Sequence, residues 1–314
     1  MKIRSLCIAW LLVTMAAGCG GGGGDTADGG NGGEGGAGAS GGAGGAGGGD
    51  DCPAQASGTA ANHIVVTVSW PASLGIEAGE GEMHIWTKAA LSFDGNDVSG
   101  MAEPCGSVIP ALTKTSIAGG GMVQTQIPDE VWDAPEMPSY EVKGAISGFG
   151  VGATISMDPI ASTVGVMMAD PTNDPWPASG SQLMTVDHDG DGQPGIKAVP
   201  RTDDPFTAPP LDINGALDPN GPRADEVYVA TRTIIQLAGT RDSCTSAKGT
   251  ADVTKVDSHV VGCRIKDGGY CDADQTKFID DNQPKFTIKS ATYEMKQVPA
   301  DATCADVRAA LPMK

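Results

Sequence analysis

Aromatic residues and positive charge are both scarce in this chain. Phe, Trp and Tyr make up 4% of its 314 residues, and 20 Lys and Arg face 39 Asp and Glu, which gives a net charge of −19. With so few rings, any core must be built mainly from Val, Ile, Leu, Ala and Met. A surface this acidic repels the phosphates of nucleic acids and of anionic membrane headgroups. We therefore expect no nucleic acid among its partners.

The motifs of common catalytic sites are missing as well. No S-x-x-K, H-E-x-x-H, Walker or C-x-x-C pattern occurs after residue 18. A single G-x-S-x-G match, at residues 38–42, lies in a glycine-rich segment with no strand before it and no helix after it. The histidines stand singly, at His63, His84, His188 and His259. We therefore expect a non-enzymatic protein.

Two other functions stay open as alternatives. The first is an extracytoplasmic hydrolase whose acidic residues form an unrecognised catalytic pair, and two converging carboxylates in a cleft would favour it. The second is a carrier of a small apolar ligand, which a deep pocket lined by Val, Ile and Met would favour.

The start of the chain has the order of a secretory signal. Lys2 and Arg4 precede an apolar run of about ten residues, too short to span a membrane as a helix, and small residues then lead to Cys19. This order resembles the signal peptides of bacterial lipoproteins. The resemblance implies that residues 1–18 are removed, that Cys19 carries diacylglycerol, and that the protein is anchored in the outer membrane of the cell envelope. Cleavage after a small residue, followed by plain secretion, is the alternative.

Residues 19–50 form a glycine-rich segment. Of the 31 residues from 19 to 49, 19 are glycine. Such a chain cannot bury enough apolar surface to offset the entropy lost on ordering, so it is predicted to be a disordered tether. Its root-mean-square reach is about 30 Å, enough to hold residues 51–314 clear of the lipid headgroups.

Short alternating segments, separated by Gly, Pro, Asn and Asp, run through residues 51–314 and predict an all-β fold. In one of them Ile64, Val66 and Val68 share a face, and the longest alternating run is 226–237. Short alternating segments separated by turn residues are typical of an antiparallel sheet. We expect an antiparallel β-sandwich or a flattened barrel, which alternation alone does not distinguish. Two stacked subdomains, divided in a proline-rich break near Gly180, are the alternative.

One short helix is predicted at the C-terminal end. Asp301 or Thr303 can cap it, and Cys304, Val307 and Leu311 then fall on one face at helical spacing. A cysteine on that face suggests a disulfide between the helix and the sheet.

The cysteines suit an oxidising compartment. Of the eight, Cys7 leaves with the signal peptide and Cys19 takes the lipid. The remaining even set predicts three disulfides, and it consists of Cys52, Cys105, Cys244, Cys263, Cys271 and Cys304. Many connectivities are possible. Pairing within each half of the chain favours Cys52–Cys105, Cys244–Cys304 and Cys263–Cys271.

One acidic loop has a sequence pattern that is typical of metal ligands. Asp187, Asp189 and Asp191 alternate, and Gly192 follows them. This pattern resembles the Asp-x-Asp-x-Asp-Gly calcium loops of thrombospondin type 3, dockerin and EF-hand modules. The resemblance implies that these carboxylates and the carbonyl of Gln193 bind Ca²⁺, with a dissociation constant of about 0.1–1 mM.

The loop departs from the EF-hand where that module has a bidentate glutamate, because Ala198 stands there. Further ligands must come from elsewhere, and the candidates are Asp170, Asp174, Asp203 and Asp204. A solvated acidic turn is the alternative to a calcium site.

Four tryptophans stand out in a chain so poor in rings. They are expected to anchor the core at strand ends, although exposed tryptophans could instead stack on sugars; they are Trp70, Trp86, Trp132 and Trp176. Together, these features predict a lipid-anchored, extracytoplasmic β domain that acts in envelope structure or surface recognition.

Overall fold

The computed structural model describes residues 52–73, 75–115, 120–201, 224–265 and 269–314. The predicted signal peptide, the lipid-bearing Cys19 and the tether lie outside the described residues, as do Asp203 and Asp204. Those assignments stay predictions. Within the described ranges, no helix has the length and apolar character needed to cross a membrane.

Strands dominate the described residues. In chain order they are β1 (Ser57–Trp70), β2 (Gly79–Asp94), β3 (Asp97–Val108), β4 (Leu112–Thr113), β5 (Met122–Val123), β6 (Thr125–Gln126), β7 (Tyr140–Ile146), β8 (Thr154–Met157), β9 (Ile160–Val164), β10 (Val166–Met167), β11 (Met184–Thr185), β12 (Ile196–Pro200), β13 (Ala224–Arg241), β14 (Ser246–Ile265) and β15 (Thr287–Val298). The α-helices are α1 (Asp129–Trp132), α2 (Ala273–Asn282) and α3 (Cys304–Ala310), and a 3-10 helix spans Gly180–Gln182.

Eight of these strands close into an antiparallel ring. Its order is β1–β2–β3–β7–β8–β13–β14–β15, and β15 pairs with β1 to complete it. In the ring, β7 and β8 lie between β3 and β13. At the opposite ends of β3 and β13, the short strands β6 and β12 lie between the same two strands and pair with them. Closure pairs the strand edges with one another. The predicted antiparallel all-β fold is confirmed, and its closure makes it a barrel rather than a sandwich.

The inside of the ring holds the main core. Alternation along β1 turns Ile64, Val66 and Val68 inward, where they join Leu237 of β13 and Tyr293 of β15. All of these side chains are buried. Strands from both sides of Gly180 therefore share this core.

A second apolar cluster covers the outside of the ring. Trp86 of β2 faces outward and packs among Val307 and Leu311 of the C-terminal segment and Trp132 of α1. The Trp86 indole Nε1 donates a hydrogen bond to the Leu311 carbonyl oxygen at 2.8 Å. The predicted C-terminal helix and its buried face are confirmed. Trp70, Trp86 and Trp132 are buried, which matches the expected role as core anchors.

The disulfides pair differently from the expectation. Cys263–Cys271 is confirmed, but the predicted pairs Cys52–Cys105 and Cys244–Cys304 are wrong. The structure has Cys52–Cys244 and Cys105–Cys304 instead. Ring closure is the reason: it brings the segment before β1 to the β13–β14 turn, and α3 lies over β3, although these elements are far apart along the chain.

Some elements have no counterpart in the sequence prediction. β3 carries Gly100, Pro104 and Gly106 instead of a clean alternation. The long strand β14 stays paired with β13 along its length, although bulges opposite Tyr228 and Ile234 of β13 interrupt its period of two. Neither α1 nor α2 is predicted from the sequence.

Candidate functional site

The acidic loop lies between β11 and β12 and has a closed shape. Asp187 pairs with Gly195 across its base, and the Gly195 N–H donates to the Val186 carbonyl oxygen at 3.0 Å. Carboxylate oxygens of Asp187, Asp189 and Asp191 lie within 4.8 Å of one another. The structure therefore brings together the three aspartates that the sequence pattern predicts as ligands.

Backbone N–H groups of the loop hold two of these carboxylates in place. Gly190 and Gly192 donate to the two oxygens of Asp187, each at 2.8 Å. Gln193 donates to Asp191 at 2.9 Å. The φ angles of Gly190 and Gly192 are +71° and +84°, in a region that favours glycine. The sharp turn thus explains why glycine occupies both positions.

Asp189 is the least satisfied carboxylate of the group. Its Oδ2 accepts a hydrogen bond from the Lys197 N–H at 2.8 Å, while its Oδ1 is buried and has no donor. Burial, and then the charges of Asp191 and Asp187, raise the pKa of the Asp189 carboxyl. A cation placed among these oxygens would offset both the cost of burying the Asp189 charge and the repulsion from Asp187 and Asp191.

Of the additional ligands suggested by sequence, the two that the structure describes, Asp170 and Asp174, do not join this cluster. Asp170 and Asp174 organise their own turn, in which Asp174 Oδ2 accepts the Asp170 N–H at 2.9 Å and Asp170 accepts from Asn173. A different carboxylate is close instead. An oxygen of Glu136 lies 3.5 Å from the position that a Cβ at Gly190 would occupy. No sequence signal connects Glu136 with this loop, because it lies about fifty residues earlier in the chain.

His188, inside the acidic motif, has a structural role. Its Nδ1 accepts a hydrogen bond from the Gly165 N–H at 2.9 Å, which ties the loop to the segment between β9 and β10. Burial lowers the pKa of the His188 imidazole. A neutral ring that accepts at Nδ1 suits this contact.

A cleft of about 470 Å³ opens beside the acidic loop. Gln193 and Pro194 of the loop line one side, and the first turns of α2 line another. Tyr228 and Tyr270 also line it, with ring centroids 6.4 Å apart, and the Tyr270 side chain is 60% exposed. The cleft thus presents an accessible ring beside polar groups.

Two carboxylates of this cleft hold α2 in position. Asp272 caps the helix by accepting the Gln275 N–H at 2.9 Å. Asp280, at 6% exposure, accepts from the backbone N–H groups of Gly180 and Val260 and from the Nδ1 of His259. Both carboxylates therefore accept hydrogen bonds that stabilise the position of α2. The Asp272–Gln275 capping box was the sequence signal that could have revealed α2.

Comparisons with protein-family models, with curated proteins and with solved structures find no match for this chain. The geometry of its own sites therefore carries the functional argument.

Proposed function

We propose that this protein is an exported, non-enzymatic binding domain in which the Asp187–Gly195 loop binds Ca²⁺ and fixes one wall of the adjacent cleft. The observation that carries the proposal is the convergence of three carboxylates on one loop, with one buried oxygen of Asp189 left without a donor.

Electrostatics favours a hard divalent cation at this place. Two like charges about 4 Å apart repel by about 1 kcal/mol in bulk water and by more where water is excluded. Ca²⁺ accepts six to eight oxygens at about 2.3–2.6 Å and tolerates irregular geometry. Asp187, Asp189, Asp191 and the carbonyl of Gln193 would supply the protein ligands, and the carboxylate of Glu136, beside Gly190, would add negative charge nearby.

Calcium would act on the cleft through the loop. Gln193 and Pro194, which follow Asp191 after Gly192, line the cleft. An ion that ties the aspartates together reduces the number of conformations these two residues can adopt. Surface recognition would then depend on extracellular calcium, whose concentration suits a site with a dissociation constant of about 0.1–1 mM.

The cysteine pairing supports an extracytoplasmic location. All six cysteines among the described residues form disulfides, and such bonds persist in oxidising compartments. The lipoprotein-like start agrees with this location. In this proposal Cys19 carries the lipid in the outer membrane, and the glycine-rich segment is the tether.

Calcium titration of the purified, EDTA-treated protein tests the proposal. We expect calorimetry to show one site with a dissociation constant of about 0.1–1 mM and the melting temperature to rise with calcium. Asp189→Asn should abolish both effects, whereas Asp252→Asn, which changes an exposed carboxylate on β14, should change neither. The calcium site is ruled out if several millimolar Ca²⁺ produces no heat, or if Asp189→Asn binds as the wild type does.

A further inference from the structure

One mouth of the strand ring leads into an apolar cavity of about 70 Å³. Each of the eight ring strands contributes at least one residue to its lining. The wall includes Leu91, Val98, Ile146, Ile155 and Met157, all of them buried. An eight-stranded ring is just wide enough inside to be filled by side chains or to hold one small ligand. This mouth is the place where the filling is incomplete.

Among the described residues that line this cavity, Arg241, the last residue of β13, is the one that carries a charge. Its guanidinium donates to the Cys244 carbonyl oxygen, while its Nε–H is buried without an acceptor. Burial lowers the pKa of this guanidinium. No ion pair with a carboxylate is formed by Arg241 among the described residues, although acidic residues outnumber basic ones almost two to one.

The rim around Arg241 is held in place by covalent and polar contacts. Cys244 lines the mouth and is bonded to Cys52, and Gln55 Nε2 donates to Gln297 Oε1 at 3.4 Å across the strand ends. Cavities with fixed walls bind small ligands well, because little conformational entropy is lost on binding.

A guanidinium above an apolar cavity is complementary to a carboxylate that carries a short hydrocarbon chain. Arginine binds carboxylates with charge-assisted, often bidentate hydrogen bonds. The volume limits the chain: an apolar cavity of about 150 Å³ holds benzene, with its six carbons. A cavity of about 70 Å³ therefore encloses about three carbons.

We propose that this mouth binds a short-chain carboxylate, with its alkyl chain among the apolar side chains of the ring and its carboxylate on Arg241. Butanoate, with three carbons beyond its carboxyl group, is the smallest ligand that fills the site. None of the residues of the acidic loop lines this cavity, so the site is independent of calcium.

Saturation-transfer NMR and calorimetry with butanoate test the proposal on the wild-type protein. We expect one butanoate per protein, equal affinity with and without EDTA, and no binding of butylammonium, which has the same chain and the opposite charge. Binding of butylammonium with the affinity of butanoate would show that the cation is irrelevant and would overturn the proposal. So would the absence of any signal at millimolar butanoate.

Two variants locate the site. Arg241→Gln removes the charge and should weaken butanoate about tenfold or more. Ala247→Leu enlarges a lining residue that is 4% exposed, so it should fill the cavity and abolish binding. Lys248→Gln changes a neighbouring cation that is outside the cavity and pairs with Asp242, and it should bind normally. Unchanged affinity in Arg241→Gln, in a sample whose circular dichroism matches the wild type, contradicts the assignment even if Ala247→Leu fails to fold.

Discussion

The His259 ring of β14 lies between two acceptors: its Nδ1 is 2.9 Å from the Asp280 carboxylate of α2, and its Nε2 is 2.9 Å from the Pro177 carbonyl oxygen. Both distances are of hydrogen-bond length, so each ring nitrogen faces a polar oxygen. Trp176 stacks on this ring at 5.6 Å between centroids, and Arg232 lies over Trp176 at 5.3 Å. This contact set joins α2 and the segment before the 3-10 helix to β14.

Removing the carboxylate of Asp280, which faces His259, should destabilise the fold. In Asp280→Ala the His259 ring and the N–H groups of Gly180 and Val260 lose their acceptor inside the protein. We expect the free energy of unfolding, measured with urea, to fall by about 3–5 kcal/mol. Asp281→Ala is the matched control, because Asp281 lies on the same helix, is exposed and forms an ion pair with Lys277. Its effect should stay below about 0.5 kcal/mol, and equal losses in the two variants would refute the role given to Asp280.

Acid should destabilise the protein through His63. This side chain is 5% exposed, stacks on Trp86 and lies 3.0 Å from a nitrogen of His84. Burial, followed by the charge of His84 and against the opposing charge of Glu294, lowers its pKa from 6.5 to about 4. The unfolded chain therefore binds more protons between these two values, and stability falls as pH drops from about 6.5 towards 4.

The melting temperature against pH measures this effect. We expect His63→Gln to lose less stability than the wild type between pH 6.5 and 4, the window set by the pKa shift. The difference should be on the order of 1–3 kcal/mol. Parallel pH profiles for the two proteins would show that His63 does not contribute.

Disulfides that close a long stretch of chain and those that close a short one should differ in their contribution to the free energy of unfolding. Cys105–Cys304 joins residues 199 positions apart, whereas Cys263–Cys271 spans 8. In the loop-entropy model their removal costs about 5 and about 2.5 kcal/mol respectively. Paired Cys→Ala variants, compared by chemical denaturation, check this order. A larger loss from the Cys263/Cys271 variant would indicate that native packing, and not chain entropy, determines the cost.

Glu136 should strengthen calcium binding. Its carboxylate lies beside Gly190 of the acidic loop, and a nearby negative charge stabilises a bound divalent cation. Glu136→Gln should raise the calcium dissociation constant about three- to tenfold in the titration described above. The control is Glu130→Gln, an exposed position in α1. Identical affinity in both variants would exclude Glu136 from the site.

Cys19 should anchor the protein. Expressed in a bacterium with lipoprotein processing, the wild type should incorporate labelled palmitate and sediment with outer membranes. Cys19→Ser should remain soluble and unlabelled, since the acyl chains are the only membrane anchor in this proposal. Recovery of unlabelled wild-type protein in the soluble fraction would favour plain secretion.

Features set by neighbouring residues could be predicted. Alternation predicted β1 and the middle of β13, because side chains in a strand point alternately to its two faces. The helical spacing of Cys304, Val307 and Leu311 placed α3. The Asp-x-Asp-x-Asp-Gly pattern placed the acidic loop, since carboxylates two residues apart in a tight turn converge.

Features without a local pattern were missed. The glycines and Pro104 of β3 hide its alternation, and α2 is too polar to show an apolar face. Glu136 and Arg241 are ordinary charged residues in the sequence, and only their surroundings single them out.

By itself, the sequence determined the kind of backbone, the number of cysteines available for pairing and the composition of the acidic loop. The tertiary structure alone decided that eight strands close into a ring, that Cys52 pairs with Cys244 and that the side chain of Arg241 lies at the mouth of an apolar cavity. The physical reason is the range of the interactions. Side-chain periodicity and turn chemistry act over a few residues, whereas strand order and disulfide partners follow from contacts between segments that are almost two hundred residues apart.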